Sequence, residues 1–507
     1  MQWNELIREV TAVAQDASSD VAVLGVEYDS RRVASGSVFV AMHGGTTDGN
    51  HYIDAALQQG AAGIITESAE AFGALAVSHP LIPRLLVAHG REALAQAAAA
   101  FFGHPERALR STGVTGTNGK TTTAFLIEAL LQAAHRSSVL VGTIEYHVAG
   151  QVRPSAHTTP ESRDLFELMA DGVTHSATEL VMEVSSHALD QGRVAEVGFD
   201  VAVFTNLTRD HLDYHQTMEA YFTAKQMLFD GVRYRAPRVA VVNADDAYAE
   251  RLAEAARLAG AEVVTYGFGG SGKQAEWRAE ELRLTPAGAE FVVATPVGRA
   301  WVRSGLAGAV NVLNLLGALA AAHARGVDFD LLMAAIPTLC AVPGRFQSVD
   351  SGQPFTVIVD YAHTDDALRN LTALARQLVH EKQGRVITMF GCGGDRDRTK
   401  RPKMGQAAGE GSDFVVVTSD NPRSEDPNAI LNEILPGVEA TGVRFVVEVD
   451  RAAAIELAIA EAEPGDVVLL AGKGHEKEQI LRNGTIFFDD AQVALSALRA
   501  LGYGGVK

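Results

Sequence analysis

The tract Gly113-Val114-Thr115-Gly116-Thr117-Asn118-Gly119-Lys120-Thr121-Thr122-Thr123 joins an apolar, strand-like approach to a helical run through three glycines, and no other stretch restricts the fold as much. A strand–loop–helix junction of this composition reads as a cradle for nucleotide phosphates. Gly113, Gly116 and Gly119 let backbone N–H groups crowd around phosphate oxygens, Lys120 reaches the β- and γ-phosphates, and the Thr121 hydroxyl can ligate Mg²⁺. The run Thr122 to Ala134 would set the positive end of a helix beneath them. The usual G-x-x-x-x-G-K-[ST] pattern has glycine where Val114 stands, so the loop is a variant. A glycine-rich turn that binds nothing is the alternative, and the Lys-Thr pair together with the flanking pattern disfavours it.

A chain of 507 residues has room for about three domains. Hydrophobic residues at 47% and charged residues at 21% fit an ordinary globular enzyme. The net charge of −19 argues against nucleic acid as a partner, so an anionic substrate must meet a locally basic pocket. With Cys340 and Cys392 as the only cysteines, neither a disulfide framework nor a cysteine metal site is expected, and a reducing cytoplasm is the natural setting. Met1 to Arg8 lacks an apolar signal core, and no apolar run reaches membrane-spanning length, so no membrane insertion is expected. The Ala-rich stretch Ala93 to Phe102 reads as a packed helix.

Before the glycine loop lies an α/β segment with strand candidates at Val21 to Val26, Ser37 to Ala41, Gly63 to Thr66 and Leu85 to Val87, ending near Gly103-His104-Pro105. From there to about Val342, strands such as Ala202 to Thr205 and Val239 to Val242 alternate with helices, as in a parallel nucleotide-binding sheet. Pro343-Gly344 is a plausible hinge. The remainder, with strands at Thr356 to Val359, Arg385 to Phe390, Phe414 to Thr418 and Asp466 to Leu470, reads as a second doubly wound domain. The expected architecture is therefore α/β with three domains, at 1–105, 106–342 and 343–507.

Several polar clusters follow strands, where open α/β sheets keep ligands. Glu183, in Glu183-Val184-Ser185-Ser186-His187, is either a Mg²⁺ ligand beside Thr121 or a solvated acid. Asn206-Leu207-Thr208-Arg209-Asp210-His211-Leu212-Asp213-Tyr214-His215 has two histidines four apart, but lacks the glutamate of H-E-x-x-H, so a hydrolytic zinc site is disfavoured. A helix starts near Thr217 and carries Tyr221 and Lys225; from spacing alone Lys225 is a surface lysine, and only a CO₂-derived carbamate would make it an oxygen ligand. Asn311 and Asn314, three apart on a long Ala-rich helix, could read adenine, with helix capping by Asn311 as the rival. Gly391-Cys392-Gly393-Gly394-Asp395-Arg396 is not a dinucleotide fingerprint, and Cys392 is a small loop side chain rather than a nucleophile. Arg396, Arg423 and Glu476 could share one crevice, the guanidiniums clamping carboxylates and the acid an ammonium; a solvated loop rim is the alternative.

Taken together, Thr115 to Thr122, Glu183 to His187, Asn206 to His215, Asn311 to Asn314, Asp360-Tyr361-Ala362-His363 and Asp420-Asn421-Pro422-Arg423 closely resemble the Mur ligases of peptidoglycan synthesis, in order and spacing over nearly the whole chain. The resemblance implies an N-terminal UDP-sugar domain, a central ATPase and a Rossmann-like C-terminal domain that closes over an amino acid. It further implies an ATP-dependent amide ligase, with Asp-Asn-Pro-Arg as the family's motif for meso-diaminopimelate. The alternatives are an L-lysine-adding ligase or a folylpolyglutamate synthetase-like ligase. The expected partners are UDP-N-acetylmuramoyl-L-alanyl-D-glutamate, meso-diaminopimelate and ATP, with two Mg²⁺ ions.

By the same resemblance, Ser30, His43, Gly44 and Gly45 look like UDP contacts, and Thr158, Thr159, Ser185, Gln191 and Arg193 like contacts to the muramoyl dipeptide. Gly116, Thr117, Asn118, Gly119, Lys120, Thr121, Thr122, Asn311, Asn314, Arg345, Asp360 and His363 look like the ATP site. Thr121, Glu183 and His211 look like metal ligands, and Lys225 like a carbamylated lysine, which reverses the reading from spacing. Arg396, Asp420, Asn421, Pro422, Arg423, Gly472 and Glu476 look like the diaminopimelate site. Gly44-Gly45-Thr46-Thr47 departs from the polar run more usual in relatives.

Overall fold

The structure is a computed structural model that describes residues 1–16, 20–45, 47–269, 275–285, 288–379 and 384–504. Thr46 of the departing tract lies outside the described residues. The chain divides into two compact units, residues 1–277 with 315–332, and residues 278–314 with 333–507.

The first unit begins with a sheet of β1 (Ala12–Asp16), β2 (Gly25–Glu27), β3 (Ser37–Ala41), β4 (Gly63–Thr66) and β5 (Arg84–Val87) in the order β1-β5-β4-β3-β2. All are parallel except β1. Two expectations change here. Of Val21 to Val26 only the last two residues are strand, because Val21 accepts from Trp3 N and Val23 donates to Met1 O instead of joining the ladder. The edge strand β1 was not foreseen, since its alanines and polar residues are mostly exposed.

The Ala-rich run is indeed a packed helix, Gly90–Phe101. It lies on this sheet and on helix Ser162–Thr174. Small side chains allow both approaches. Arg163, on the second helix, donates to Val26 O at 3.2 Å and pairs with Glu27 at 3.1 Å, and Tyr28 donates to Asp164 at 2.8 Å.

Next come β6 (Arg110–Thr115), β7 (Ser138–Val141), β8 (Glu145–Val148), β9 (Gln151–Pro154), β10 (Glu179–Glu183), β11 (Val201–Phe204), β12 (Val239–Asn243) and β13 (Glu262–Gly267). They run β13-β12-β11-β6-β10-β7-β8-β9, parallel from β13 to β7. β10, β11 and β12 are buried along their whole length, as strands covered by helices on both faces must be. β6 lies between β10 and β11, so the loops after these three strands open at one edge, where the order reverses.

The second unit holds the antiparallel strands β14 (Trp277–Thr285), β15 (Gly288–Thr295) and β16 (Gly298–Ser304). Its main sheet comprises β17 (Gln347–Val349), β18 (Thr356–Asp360), β19 (Val386–Phe390), β20 (Phe414–Val417), β21 (Arg444–Val447) and β22 (Val467–Ala471), ordered β17-β18-β22-β19-β20-β21. All but β17 are parallel, which places the loops after β18, β22, β19 and β20 side by side. Strands β23 (Glu478–Leu481) and β24 (Gly484–Phe487) form a hairpin. Among the described residues no helix is long and apolar enough to cross a membrane.

Candidate active site

β6 delivers the glycine loop into the gap between Glu183 and Phe204, the last residues of β10 and β11, which stand opposite Val114 and Thr115. Gly116 has φ +150°, and a Cβ there would collide with the Thr205 hydroxyl, so only glycine fits. The loop is held from β11: Thr117 N donates to Asn206 O at 2.8 Å, Asn118 N to Asn206 Oδ1 at 2.9 Å, and Thr205 Oγ1 to Asn118 O at 2.6 Å. Gly119, at φ +84°, then starts helix Lys120–Ala133. Thr121 and Thr122 are buried in its first turn.

Two ammonium groups meet at one carbonyl. Lys120 Nζ donates to Gly116 O and Thr117 O, both at 2.9 Å, and Lys225 Nζ donates to Gly116 O at 2.9 Å. The surface lysine expected from spacing is thus a buried one, 1% exposed, lying 4.6 Å from the centre of the Tyr221 ring. Helical periodicity gave Lys225 a face, but not the loop packed on that face. Burial, and then the charge of Lys120, hold its pKa well below that of an ordinary lysine.

Glu183 is buried and fully engaged, not solvated. It accepts from Thr121 Oγ1 at 3.0 Å, from Thr143 N at 2.7 Å and from Thr143 Oγ1 at 3.1 Å. Thr143 Oγ1 lies 3.0 Å from Thr158 Oγ1. Thr159 Oγ1 donates to Glu183 O at 2.8 Å and accepts from Ser185 N at 3.1 Å, while Arg193 donates to Thr159 O at 3.1 Å and to Gln191 Oε1 at 2.8 Å. Thr158, Thr159, Ser185, Gln191 and Arg193 therefore belong to one network that ends on Thr121.

His211, in a left-handed conformation at φ +53°, faces His187 at 4.8 Å and Tyr221 at 6.0 Å. Burial holds its pKa below the usual histidine value, and Asp210 opposes this. No hydrogen bond joins His211 to Glu183 among the described residues, which also hold no cluster of three or more His, Cys, Asp or Glu suited to a metal ion.

Ser30 opens the turn Ser30–Arg32, and Gly44 N donates to Thr47 O at 2.7 Å. Glu67 takes the His43 amide, and also the Gly90 amide at 2.6 Å. His43 and Gln191 line one cavity of about 350 Å³, together with Arg91 and Arg233. Gly45 has no neighbour that a Cβ would touch.

The helix Ala309–Ala324 begins two residues before Asn311, so Asn311 is not its cap; its amide donates to Ala307 O at 2.8 Å and lies 3.4 Å from that of Asn314. Asp360, its carboxyl raised by burial against the charge of Arg345, accepts from Phe346 N at 2.7 Å and Ala362 N at 2.8 Å. The Arg345 guanidinium lies over Tyr361 at 4.7 Å, with His363 and His475 rings 4.5 and 5.0 Å from the same tyrosine. Gly116 to Thr122 belong to the first unit, and Asn311, Asn314, Arg345, Asp360 and His363 to the second.

Past β19, β20 and β22, Gly393 abuts both Arg423 and Arg396, and Arg423, at φ +53°, donates to Gly394 O at 2.8 Å. Pro422 is buried, and Gly472, at φ +115°, admits Asp420 so closely that a Cβ would stand 2.9 Å from its Oδ2. Asn421 Nδ2 donates to Glu476 Oε2 at 2.8 Å. Arg396, Arg423 and Glu476 do belong to one loop cluster. Cys392 is buried, its thiol pushed up to about 12 by burial, which suits a packed side chain and no nucleophile. Thr143 and Lys473 were not singled out from the sequence. Lys473 lies in Gly472-Lys473-Gly474-His475-Glu476, where a lysine between glycines after a fully apolar strand was the available signal.

Three family models match the chain: the Mur ligase family catalytic domain over residues 22–102, the Mur ligase middle domain over 114–322, and the Mur ligase glutamate ligase domain over 344–474. The chain is 51% identical over 481 residues to a UDP-N-acetylmuramoyl-L-alanyl-D-glutamate--2,6-diaminopimelate ligase of Solibacter usitatus, covering 95% of this chain and 94% of that one. A protein of the same name from Geobacillus kaustophilus is 45% identical, covering 95% and 96%. A solved structure, again of a ligase of that name, superposes with a TM-score of 0.70 at 34% identity and covers 99% of each chain.

Proposed function

The chain belongs to the Mur ligase family, and on that premise we infer that it is the ATP-dependent amide ligase that adds meso-2,6-diaminopimelate to UDP-N-acetylmuramoyl-L-alanyl-D-glutamate in peptidoglycan synthesis. The observation that carries this reading is the 51% identity, over 95% of the chain, to a ligase of that name. We place the reaction in the cytoplasm. We also assign residues 1–105 to the UDP-sugar, 106–342 to ATP and ligation, and 343–507 to the amino acid.

A carboxylate is a poor electrophile, and joining it to an amine in water is uphill. In the proposed reaction an oxygen of the D-glutamyl γ-carboxylate attacks the γ-phosphorus of ATP, the bond to the β,γ-bridging oxygen breaks, and ADP leaves. The free amine of diaminopimelate then attacks the acyl carbon, phosphate departs with the former carboxylate oxygen, and the nitrogen loses a proton. Such transfers need positioning and charge neutralisation more than covalent help. Lys120 and the amides of the 116–122 loop would bind the phosphates, while Thr158, Thr159, Ser185, Gln191 and Arg193 orient the dipeptide, and Ser30 and His43 to Gly45 the UDP. Asn311, Asn314, Arg345, Asp360 and His363 would complete the ATP site. Arg396, Asp420, Asn421, Arg423, Gly472 and Glu476 would hold diaminopimelate.

The donor set suits a hard cation: Thr121 and Glu183 offer buried oxygens 3.0 Å apart. Lys225 also suits carbamylation, because burial lowers its pKa and so favours the neutral amine that adds CO₂ with loss of a proton. Thr121, Glu183, His211 and carbamylated Lys225 would hold Mg²⁺, as two ions. The metal would supply charge neutralisation between two anions brought together.

ADP release measured with the UDP-dipeptide, offering meso-diaminopimelate and L-lysine side by side, tests the reading. Release should require the dipeptide and favour diaminopimelate, whose second carboxylate Arg423 can pair. Equal rates with lysine, or release without any amino acid, would overturn it.

A further inference from the structure

Among the described residues, the loops after β20 and β22 contain one buried charged group to which none of these roles is assigned, Lys473. The Lys473 side chain has no exposed surface, a rarity for lysine. Its ammonium donates to Glu476 Oε2 at 3.0 Å and to Asn421 Oδ1 at 3.1 Å, and lies 3.8 Å from Asp420 Oδ1. Asn421 closes the ring by donating to the same Glu476 Oε2 at 2.8 Å, while its own Oδ1 also accepts from Ile480 N at 3.0 Å. One buried cation thus ties together side chains from two loops on different strands.

The use of the Glu476 oxygens is asymmetric. Both bonds fall on Oε2, Oε1 accepts none among the described residues, and the side chain is 29% exposed. Lys473 and Asn421 hold one oxygen from behind and leave the other directed away from them. Without the ammonium, two neighbouring carboxylates would share a poorly solvated site, and repulsion would separate the loops.

We propose that Lys473 is a positioning residue that fixes Glu476 so that Oε1 receives the ammonium group of the incoming amino acid. It does not touch substrate; it acts through Glu476. This inference rests on the reading of the loop cluster as the amino-acid site. It adds the group that keeps an acidic ammonium receptor ordered before substrate arrives. Arginine would keep the charge, but its planar fork cannot reproduce the three-way geometry of an ammonium, so it should restore only part of the effect.

The experiment first establishes which amino acid supports ADP release by the wild-type chain. If that is lysine and not diaminopimelate, the functional reading fails, and the Lys473 test proceeds unchanged with lysine. KM for the amino acid, for ATP and for the UDP-dipeptide is then measured for Lys473→Met and Lys473→Arg. In Lys473→Met the amino-acid KM should rise about 10- to 100-fold, with kcat within about threefold and the other two KM values unchanged, and Lys473→Arg should recover part of the loss. If Lys473→Met does not fold, the charge-balanced Lys473→Met/Glu476→Gln variant is compared with Glu476→Gln, and the two should share one amino-acid KM. Three results would overturn the proposal: an unchanged amino-acid KM in folded Lys473→Met, a parallel loss in all three KM values and kcat without rescue by arginine, or a double variant with a higher amino-acid KM than Glu476→Gln.

Discussion

In the crevice after β6, the groups that would meet phosphate are main-chain amides and one lysine, and their positions follow from glycine conformations and from Thr205 and Asn206 just after β11. A fully buried ion pair does exist in that unit, Arg325 with Glu179 at 2.7 Å, but it stands at the opposite end of β10 from Glu183, about 13 Å along the strand, and the buried lysine that does touch the loop, Lys225, donates to a main-chain carbonyl, Gly116 O, at 2.9 Å and not to a carboxylate. In the C-terminal unit the buried cations lie directly behind the loops. Lys473 joins Asn421 and Glu476, and Arg451, paired with Asp490 at 2.6 Å, donates to Ser419 O at 3.3 Å and to Ala471 O at 3.1 Å, the residues just before Asp420 and Gly472. A phosphate cradle can be built from backbone, because every phosphate offers the same oxygens. A pocket that must recognise one amino acid needs directed charges, and these need buried counter-charges to stay in place.

Four substitutions would break or sharpen this contrast. Arg451→Leu should have the largest effect, leaving Asp490 buried and unpaired; a loss of about 3–5 kcal/mol in the unfolding of the C-terminal unit is expected, read by denaturant titration. Lys120→Ala should lower kcat by about 10²- to 10³-fold with little change in melting temperature, since Thr205 and Asn206 still hold the loop when the two Lys120 bonds are lost. Arg423→Ala should raise the diaminopimelate KM by about 10- to 100-fold and narrow the preference over lysine, with the ATP KM unchanged. An ATP KM that moved with it would blur the contrast.

His475→Gln should do least at neutral pH. Burial, reinforced by the Arg345 and Lys473 charges, lowers the His475 pKa to about 4, so the folded chain resists a proton that the unfolded chain takes up near pH 6.5. Stability should therefore fall as pH drops from about 6.5 to 4, and a flatter acid limb of the melting-temperature profile is expected in the variant.

Much of this was legible in the sequence where a single local rule decides the outcome. Fully buried parallel strands such as Val201–Phe204 and Val467–Ala471 are nearly unbroken apolar runs, and the glycine loop carries its own geometry. That the loops carrying Arg396, Arg423 and Glu476 lie side by side followed from their places just after strands. What escaped depends on contacts between distant segments. Spacing put Lys225 on a helix face but could not say that the loop carbonyl of Gly116 covers it. Neither the burial of Lys473 nor the grip of Thr143 on Glu183 leaves a periodic trace, and β1 has no apolar face to betray it.

In the proposed reaction ATP energises the D-glutamyl carboxylate before the amine attacks it. The most direct test labels that γ-carboxylate with ¹⁸O and analyses the phosphate released during turnover with diaminopimelate. Each phosphate should carry one oxygen from the carboxylate, and one tripeptide should form per ADP. Phosphate free of the label, or ADP released without tripeptide, would contradict that reaction.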